Sequence, residues 1–237
     1  MLIEGKSDPG RVREHNQDIF VARPDLGLAL LADGMGGTRA GGVAAEIAVD
    51  AALEHLTGAL KRGPLTGDHL GAAVKAANSR VVGMSNAVSA YRGMGTTLVA
   101  AVINGPKGYI AHVGDSRAYR LRGRALHQVT KDHSLVQEWV DAGVISADEA
   151  RTAPNRNVIT RAIGAKPSVQ ADVTEIDVTG EDTLLMCSDG LTGMLADDEI
   201  AFALAETADL ADAAATLVKA ANQAGGTDNV TVVLIRC

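Results

Sequence analysis

Short apolar runs alternate with long stretches of small residues, and the two patterns divide the chain. Residues 18–23 and 27–32 read as two strands joined by a Pro24-Asp25 turn. Gly34, Gly36, Gly37, Gly41 and Gly42 then permit tight backbone paths. Helical periodicity covers about 43–56 and again 68–86, with Asp68 near the second start and alanines and valines on the buried face. Residues 96–129 read as consecutive antiparallel strands: 97–103, then 108–113 after a Gly105-Pro106 turn, then a hairpin of 118–122 and 125–129 about Gly123. The region 132–157 turns polar around a short helix at 135–142 and reads as a mobile excursion beside the core. Strands return at 169–177 and 183–187, helices at 197–205 and 209–223, and a last strand at 229–235. Paired helices with strands in hairpins predict a layered α+β sandwich, not a βαβ repeat.

The 237 residues are 46% hydrophobic, enough for one substantial core and one large domain. One Trp, two Phe and three Tyr make stacking on exposed bases a poor expectation. With 22 basic against 29 acidic side chains, the formal charge of -7 argues against a general nucleic-acid binder. Cys187 lies in an apolar run and Cys237 is terminal, so neither a disulfide framework nor a cysteine metal site is expected, which fits a reducing compartment. The first residues lack the apolar stretch of a signal peptide, and no apolar run approaches the ~18 residues of a membrane span. The expected location is the cytoplasm.

The chemistry is concentrated in aspartates set among glycines and small residues. Asp33 ends LALLAD, Asp115 sits in HVGDSRAY, Asp189 follows LLMCS, and Asp228 begins the segment DNVTVVL. Carboxylates at strand ends are placed to converge on hard cations, and oxygen-only donors suit Mg²⁺ or Mn²⁺ rather than zinc. Asp33, Asp189 and Asp228 together have the makings of a two-cation site with ions about 4 Å apart, which would activate a shared water and stabilise a transferring phosphoryl group. Taken singly, each also reads as a turn or a helix cap. Asp18 opens a strand and suits an acceptor for metal-bound water. Arg13 offers bidentate geometry to phosphate, or is a solvated surface arginine; Arg11 is left on the surface. His15 and His133 are candidate acids or loop ties, and His112, within a strand, reads as a satisfied sheet residue. The chain has neither a G-x-S-x-G elbow nor a G-x-x-x-x-G-K-[ST] loop.

Eight segments in order carry a family resemblance: SDPGRVREHNQD at 7–18, LADGMGG at 31–37, MGTTLVA at 94–100, AHVGDSRAYRL at 111–121, VTKDHS at 129–134, ITRAIG at 159–164, LLMCSDGLTGML at 184–195 and GGTDNVTVVLI at 225–235. The chain resembles the bacterial PP2C-type (PPM) protein serine/threonine phosphatases over nearly its whole length. The resemblance implies a four-layer αββα sandwich with a flap at about 133–157. It implies that Asp33 bridges two Mg²⁺ or Mn²⁺ ions, that the Gly34 carbonyl binds one, and that Asp189 and Asp228 complete the second. Asp115 with Asp189 resembles the holder of a weaker third ion. Arg13 looks like the phosphate-binding arginine and Asp18 like the residue ordering metal-bound water. Two positions depart from the bacterial pattern: Thr38 stands in place of a histidine and Val43 in place of a glutamate. Met35 stands where animal-type members carry a histidine linked to leaving-group protonation, so the general acid is unassigned.

The expected activity is hydrolysis of phosphoserine and phosphothreonine on proteins by metal-activated water, opposing a cognate Ser/Thr kinase, in a monomer with no nucleic-acid or membrane partner. A phosphatase dedicated to one regulatory partner is a rival on the same fold. A catalytically silent phosphoprotein-binding module is a rival of another class, resting only on Thr38 and Val43. A sugar-phosphate or nucleotide phosphatase is disfavoured, because no segment resembles a closed small-molecule pocket.

Overall fold

The computed structural model describes residues 1–36 and 40–236; Gly37, Thr38, Arg39 and Cys237 lie outside the described residues. The first sheet has the order β1 (Leu2–Asp8), β11 (Val230–Arg236), β10 (Asp182–Cys187), β7 (Arg117–Arg122) and β8 (Ala125–Gln128). The second runs β2 (Asp18–Arg23), β3 (Leu28–Met35), β5 (Leu98–Asn104), β6 (Lys107–Val113) and β9 (Asp172–Asp177), with the short β4 (Gly95–Thr96) paired to the end of β3. Neighbouring strands pair antiparallel throughout. Helices α1 (Ala40–Leu60) and α2 (Gly67–Ala87) cover the second sheet. The turn α5 (Asp189–Thr192), with α6 (Asp197–Glu206) and α7 (Leu210–Gln223), covers the first.

The four layers follow from period two along the strands. In β3, Leu28, Leu30 and Ala32 pack toward α1 and α2, while Ala29 and Leu31 pack toward the other sheet. In β11, Val230, Val232 and Leu234 meet α7, while Val233 and Ile235 face between the sheets. Leu184 and Met186 of β10 and Val99 and Ala101 of β5 fill the same inter-sheet layer. At one end of the sandwich these inward rows stop being apolar. The next inward positions are Asp18, Asp33, Thr97, Ser116, Ser188 and Thr231. A polar rim on the inter-sheet layer is therefore built in by strand parity.

Most expected elements are present, with α1 and α2 longer than the periodicity gave. Strand β1 was not anticipated. It is an edge strand in which only Ile3 is buried, so its alternation is weak. The region 132–157 holds α3 (Leu135–Asp141) and a second helix, α4 (Ala147–Thr152), whose Ser146 and Glu149 form a reciprocal capping box. Among the described residues, no helix is long and apolar enough to cross a membrane.

Candidate active site

The polar rim opens into a cavity of about 470 Å³. Asp33, Gly34, Asp115, Asp189 and Asp228 line it together with Arg13, so those six sequence candidates converge. Asp18 lies immediately behind, opposite Asp33 in the β2–β3 register. Two placements differ from expectation. Asp33 lies within β3 rather than after it, because pairing with β4 continues the strand to Met35. The last strand begins at Val230, two residues beyond Asp228, whose Oδ1 accepts the Asn229 N–H at 2.8 Å. Asp189 opens α5, and Asp115 occupies the turn between β6 and β7.

Backbone contacts fix these positions closely. Asp33 donates its N–H to Thr97 Oγ1 at 2.9 Å, and its carbonyl accepts from Thr96 Oγ1 and Thr97 N–H. Gly34 lies directly against the Gly41 backbone at the start of α1, so a Cβ at either residue would collide with the other. Gly190 packs on the Asn229 carbonyl in the same way, bringing the Asp189 turn onto the Asp228 turn.

The carboxylates are held close with too few donors. Asp18 Oδ2 accepts from Ser188 Oγ and Thr231 Oγ1, both at 2.7 Å, but its Oδ1 is buried without a partner. Burial raises its pKa to about 6, against the pull of those two hydroxyls. Burial first and the Asp228 charge second raise Asp189 to about 6. Burial first and Asp189 second raise Asp115 to about 8. Asp33 opens onto the cavity floor but is otherwise enclosed by protein. Burial, then the charges of Asp18, Asp189, Asp115 and Asp228, push it well above the usual carboxylate range. Arg13 Nη2 pairs with Asp228 Oδ2 at 2.7 Å near the surface. Multivalent hard cations fit this donor set: they would satisfy the orphaned oxygen's surroundings and relieve the mutual repulsion.

Asn229, the neighbour of Asp228, staples the loop that carries Arg13. Its Nδ2 donates to the carbonyls of Pro9 and His15, and its Oδ1 accepts the Gln17 N–H. Asn157 and His15 also line the cavity. The adjacency of Asn229 to Asp228 was the only sequence signal for the first, and nothing singled out Asn157. A further hollow of about 590 Å³ shares Asp115, Asn157 and Asp189 with the cavity and continues along residues 134–157 and the start of α6.

The family profile for protein phosphatase 2C matches residues 10–225. The chain belongs to the protein phosphatase 2C family. It is 40% identical to the serine/threonine phosphatase stp of Listeria monocytogenes, over 99% of this chain and 95% of that protein. The crystal structure of the Mycobacterium tuberculosis serine/threonine phosphatase PstP/Ppp superposes with a TM-score of 0.91 at 40% identity, covering 98% of this chain and 97% of that one. The catalytic domain of PstP in complex with two manganese ions superposes at 0.88 with 39% identity, covering 98% and 96%. Nothing in these likenesses supports the silent-module alternative. Of its two motivating positions, Val43 packs against the core beneath α1, away from the cavity lining, and Thr38 lies outside the described residues.

A second grouping of ligand-type side chains behaves differently. Among the described residues, the trio whose ligand atoms all lie within 4.8 Å of one another is His112, His133 and Asp172. His112 Nε2 lies 2.7 Å from the Lys131 carbonyl and so carries its ring proton there. His133 Nδ1 accepts the Gly114 N–H at 3.0 Å, which places its proton on Nε2, 3.2 Å from Asp172 Oδ2 but not aligned for a hydrogen bond. The two rings stack, 4.6 Å apart and 12° from parallel, so an ion in the plane of one lies out of the plane of the other. The His133 tautomer and the stacked ring planes oppose a metal here, although His112 keeps its Nδ1 lone pair free. The trio ties the start of the 133–157 region to β6 and β9, as the loop-holding reading of His133 expected.

Proposed function

We propose that the cavity hydrolyses phosphoserine and phosphothreonine on protein substrates, with Asp33, the Gly34 carbonyl, Asp189 and Asp228 holding two Mg²⁺ or Mn²⁺ ions and Asp115 with Asp189 a weaker third. The observation that carries this reading is the set of Asp18, Asp33, Asp115 and Asp189, enclosed together with raised pKa values. Divalent ions bound there supply charge neutralisation for the phosphoryl group and an activated water.

The protein's own groups do the rest. Arg13 leaves Asp228 and forks onto two phosphoryl oxygens, an exchange made easy by the exposure of the pair. Asp18, with Oδ2 saturated by two hydroxyls, keeps Oδ1 to orient water. A water oxygen bonds to phosphorus and gives up one proton to solvent, the ester P–O bond breaks, and the serine or threonine oxygen takes a proton from a donor that solvent recharges. His15, the one imidazole among the described lining residues, is the donor this geometry favours, whereas His133 is committed elsewhere. The polypeptide flanking the phosphoresidue lies in the hollow beside residues 134–157. A Ser/Thr kinase that adds the phosphate is the implied opposing partner.

The test is turnover of a phosphothreonine peptide in EDTA, Mg²⁺ and Mn²⁺, with Asp228→Ala as control. Activity restored only by divalent ions and lost in the variant supports the reading. Turnover in EDTA, or full activity in Asp228→Ala, contradicts it.

A further inference from the structure

A separate concavity, of about 350 Å³, lies between the outer face of β1 and α7. Lys6 and Asp8 are consecutive same-face residues of β1, and Val218, Lys219 and Asn222 share one face of α7. Arg11, from the loop after β1, closes the ring. Three cations thus meet one carboxylate, in a chain whose formal charge is -7. Among the described residues, none of the three cations has an ion-pair partner. The one carboxylate is already engaged: Asp8 Oδ1 accepts from the Gly10 N–H and Asn222 Nδ2, both at 2.9 Å. The negative pole at the end of α7 is softened by capping, since the carbonyls of Ala220, Ala221 and Asn222 accept from Ala224, Gly226 and both Ala224 and Gly225.

We propose that Lys6, Arg11 and Lys219 form an anion pocket that takes a phosphate or phosphomonoester group. Two lysines and a guanidinium on a concave wall supply point charges and a planar fork for its oxygens. The pocket stands beside the two arms that carry Arg13 and Asp228. The Arg11 N–H donates to the Gly226 carbonyl at 2.8 Å, so an anion drawing on Arg11 pulls on the turn that presents Asp228. The ligand is either free phosphate or a second phosphorylated residue on the substrate protein. The pocket itself stands apart from the phosphatase reading, because none of its lining residues lines the catalytic cavity.

Calorimetric titration of inorganic phosphate into EDTA-stripped protein reads the pocket without turnover. Arg13→Ala is expected to keep this binding, and Lys6→Glu/Lys219→Glu to weaken it at least about tenfold. Lys6→Gln/Lys219→Gln, milder at the surface, is expected to weaken it less, and added salt to weaken it in wild type. KM for singly and doubly phosphorylated peptides separates the sources. A lower KM for the doubly phosphorylated peptide, lost in the lysine double variants, assigns the pocket to substrate. Equal KM values with phosphate binding intact assign it to free phosphate. Phosphate binding that disappears in Arg13→Ala and is unchanged in both lysine double variants overturns the pocket.

Discussion

The two ends of β10 hold aspartates in opposite conditions. At its start, Asp182 has no exposed surface, yet it accepts from Arg122 Nε and Nη2, both at 2.7 Å, and from the Thr179 N–H at 2.8 Å. The Arg122 guanidinium holds its carboxyl below the usual range. Just past its end, Asp189 faces Asp33, Asp228 and Asp18 and is raised to about 6. The same strand thus carries one carboxylate completed by protein and one that protein leaves incomplete. An enclosed acid with its own donors is a structural element; enclosed acids that repel one another are arranged for a ligand.

The largest way to break this contrast is Asp33→Asn. Divalent-dependent turnover should fall by about a thousandfold, read with a phosphothreonine peptide, while the thermal midpoint of the EDTA-treated protein should rise, because the cost of enclosing and crowding that carboxyl is gone. Arg13→Ala should lower kcat/KM by about a hundredfold, with Arg13→Lys recovering little. Asn229→Ala should cost about tenfold and should not add to Arg13→Ala, since Asn229 acts by holding the loop that bears Arg13; a double-mutant cycle checks this. His15→Gln should slow phosphopeptide hydrolysis by about a hundredfold but spare aryl phosphates, whose leaving groups need no proton.

A pH series sharpens the comparison through stability. Asp18 and Asp189 titrate at about 6 and Asp115 at about 8 in the fold. An unperturbed aspartate titrates at about 3.9. The folded state therefore holds more protons than the unfolded one across that window. Stability of the EDTA-treated protein should fall as pH rises from about 4 toward 8. Asp182 has the opposite sign: its lowered pKa contributes stability above the ordinary carboxylate range, lost as pH falls through it. Thermal midpoints at pH 5 and 8, with and without Mn²⁺, should show the ion's stabilisation growing with pH. The smallest effect is Asp182→Asn, which should leave turnover unchanged and lower the midpoint by roughly 3 °C, because Arg122 is 43% exposed and screened by solvent.

Much of this was legible in the chain. The aspartates stood out because acids bordering apolar runs conflict with burial, and the helices because their small residues recur at helical spacing. Asp18, Ser188 and Thr231 share the inter-sheet parity of Phe20, Met186 and Val233, a regularity that becomes meaningful only once the two sheets face each other. Strand β1 was hidden because an edge strand with a single buried residue has little alternation to read. The α4 helix carried a visible Ser-x-x-Glu cap in a segment whose polarity masked it. Asn229 was visible, but its work is done on backbone atoms at residues 9 to 17, and no local pattern encodes such a distant contact. The anion pocket drew on Arg11, which looked like an ordinary surface residue until β1 and α7 brought Lys6 and Lys219 beside it.

The most direct test of the central claim is calorimetric titration of Mn²⁺ into EDTA-stripped protein at pH 7, in two buffers of different ionisation enthalpy. The account predicts two strong sites whose filling releases protons, because carboxyls raised by burial and by one another's charge must ionise to bind. Asp182→Asn should leave both sites intact and Asp33→Asn should remove them. Mn²⁺ binding without proton release, or unchanged by Asp33→Asn, would contradict it.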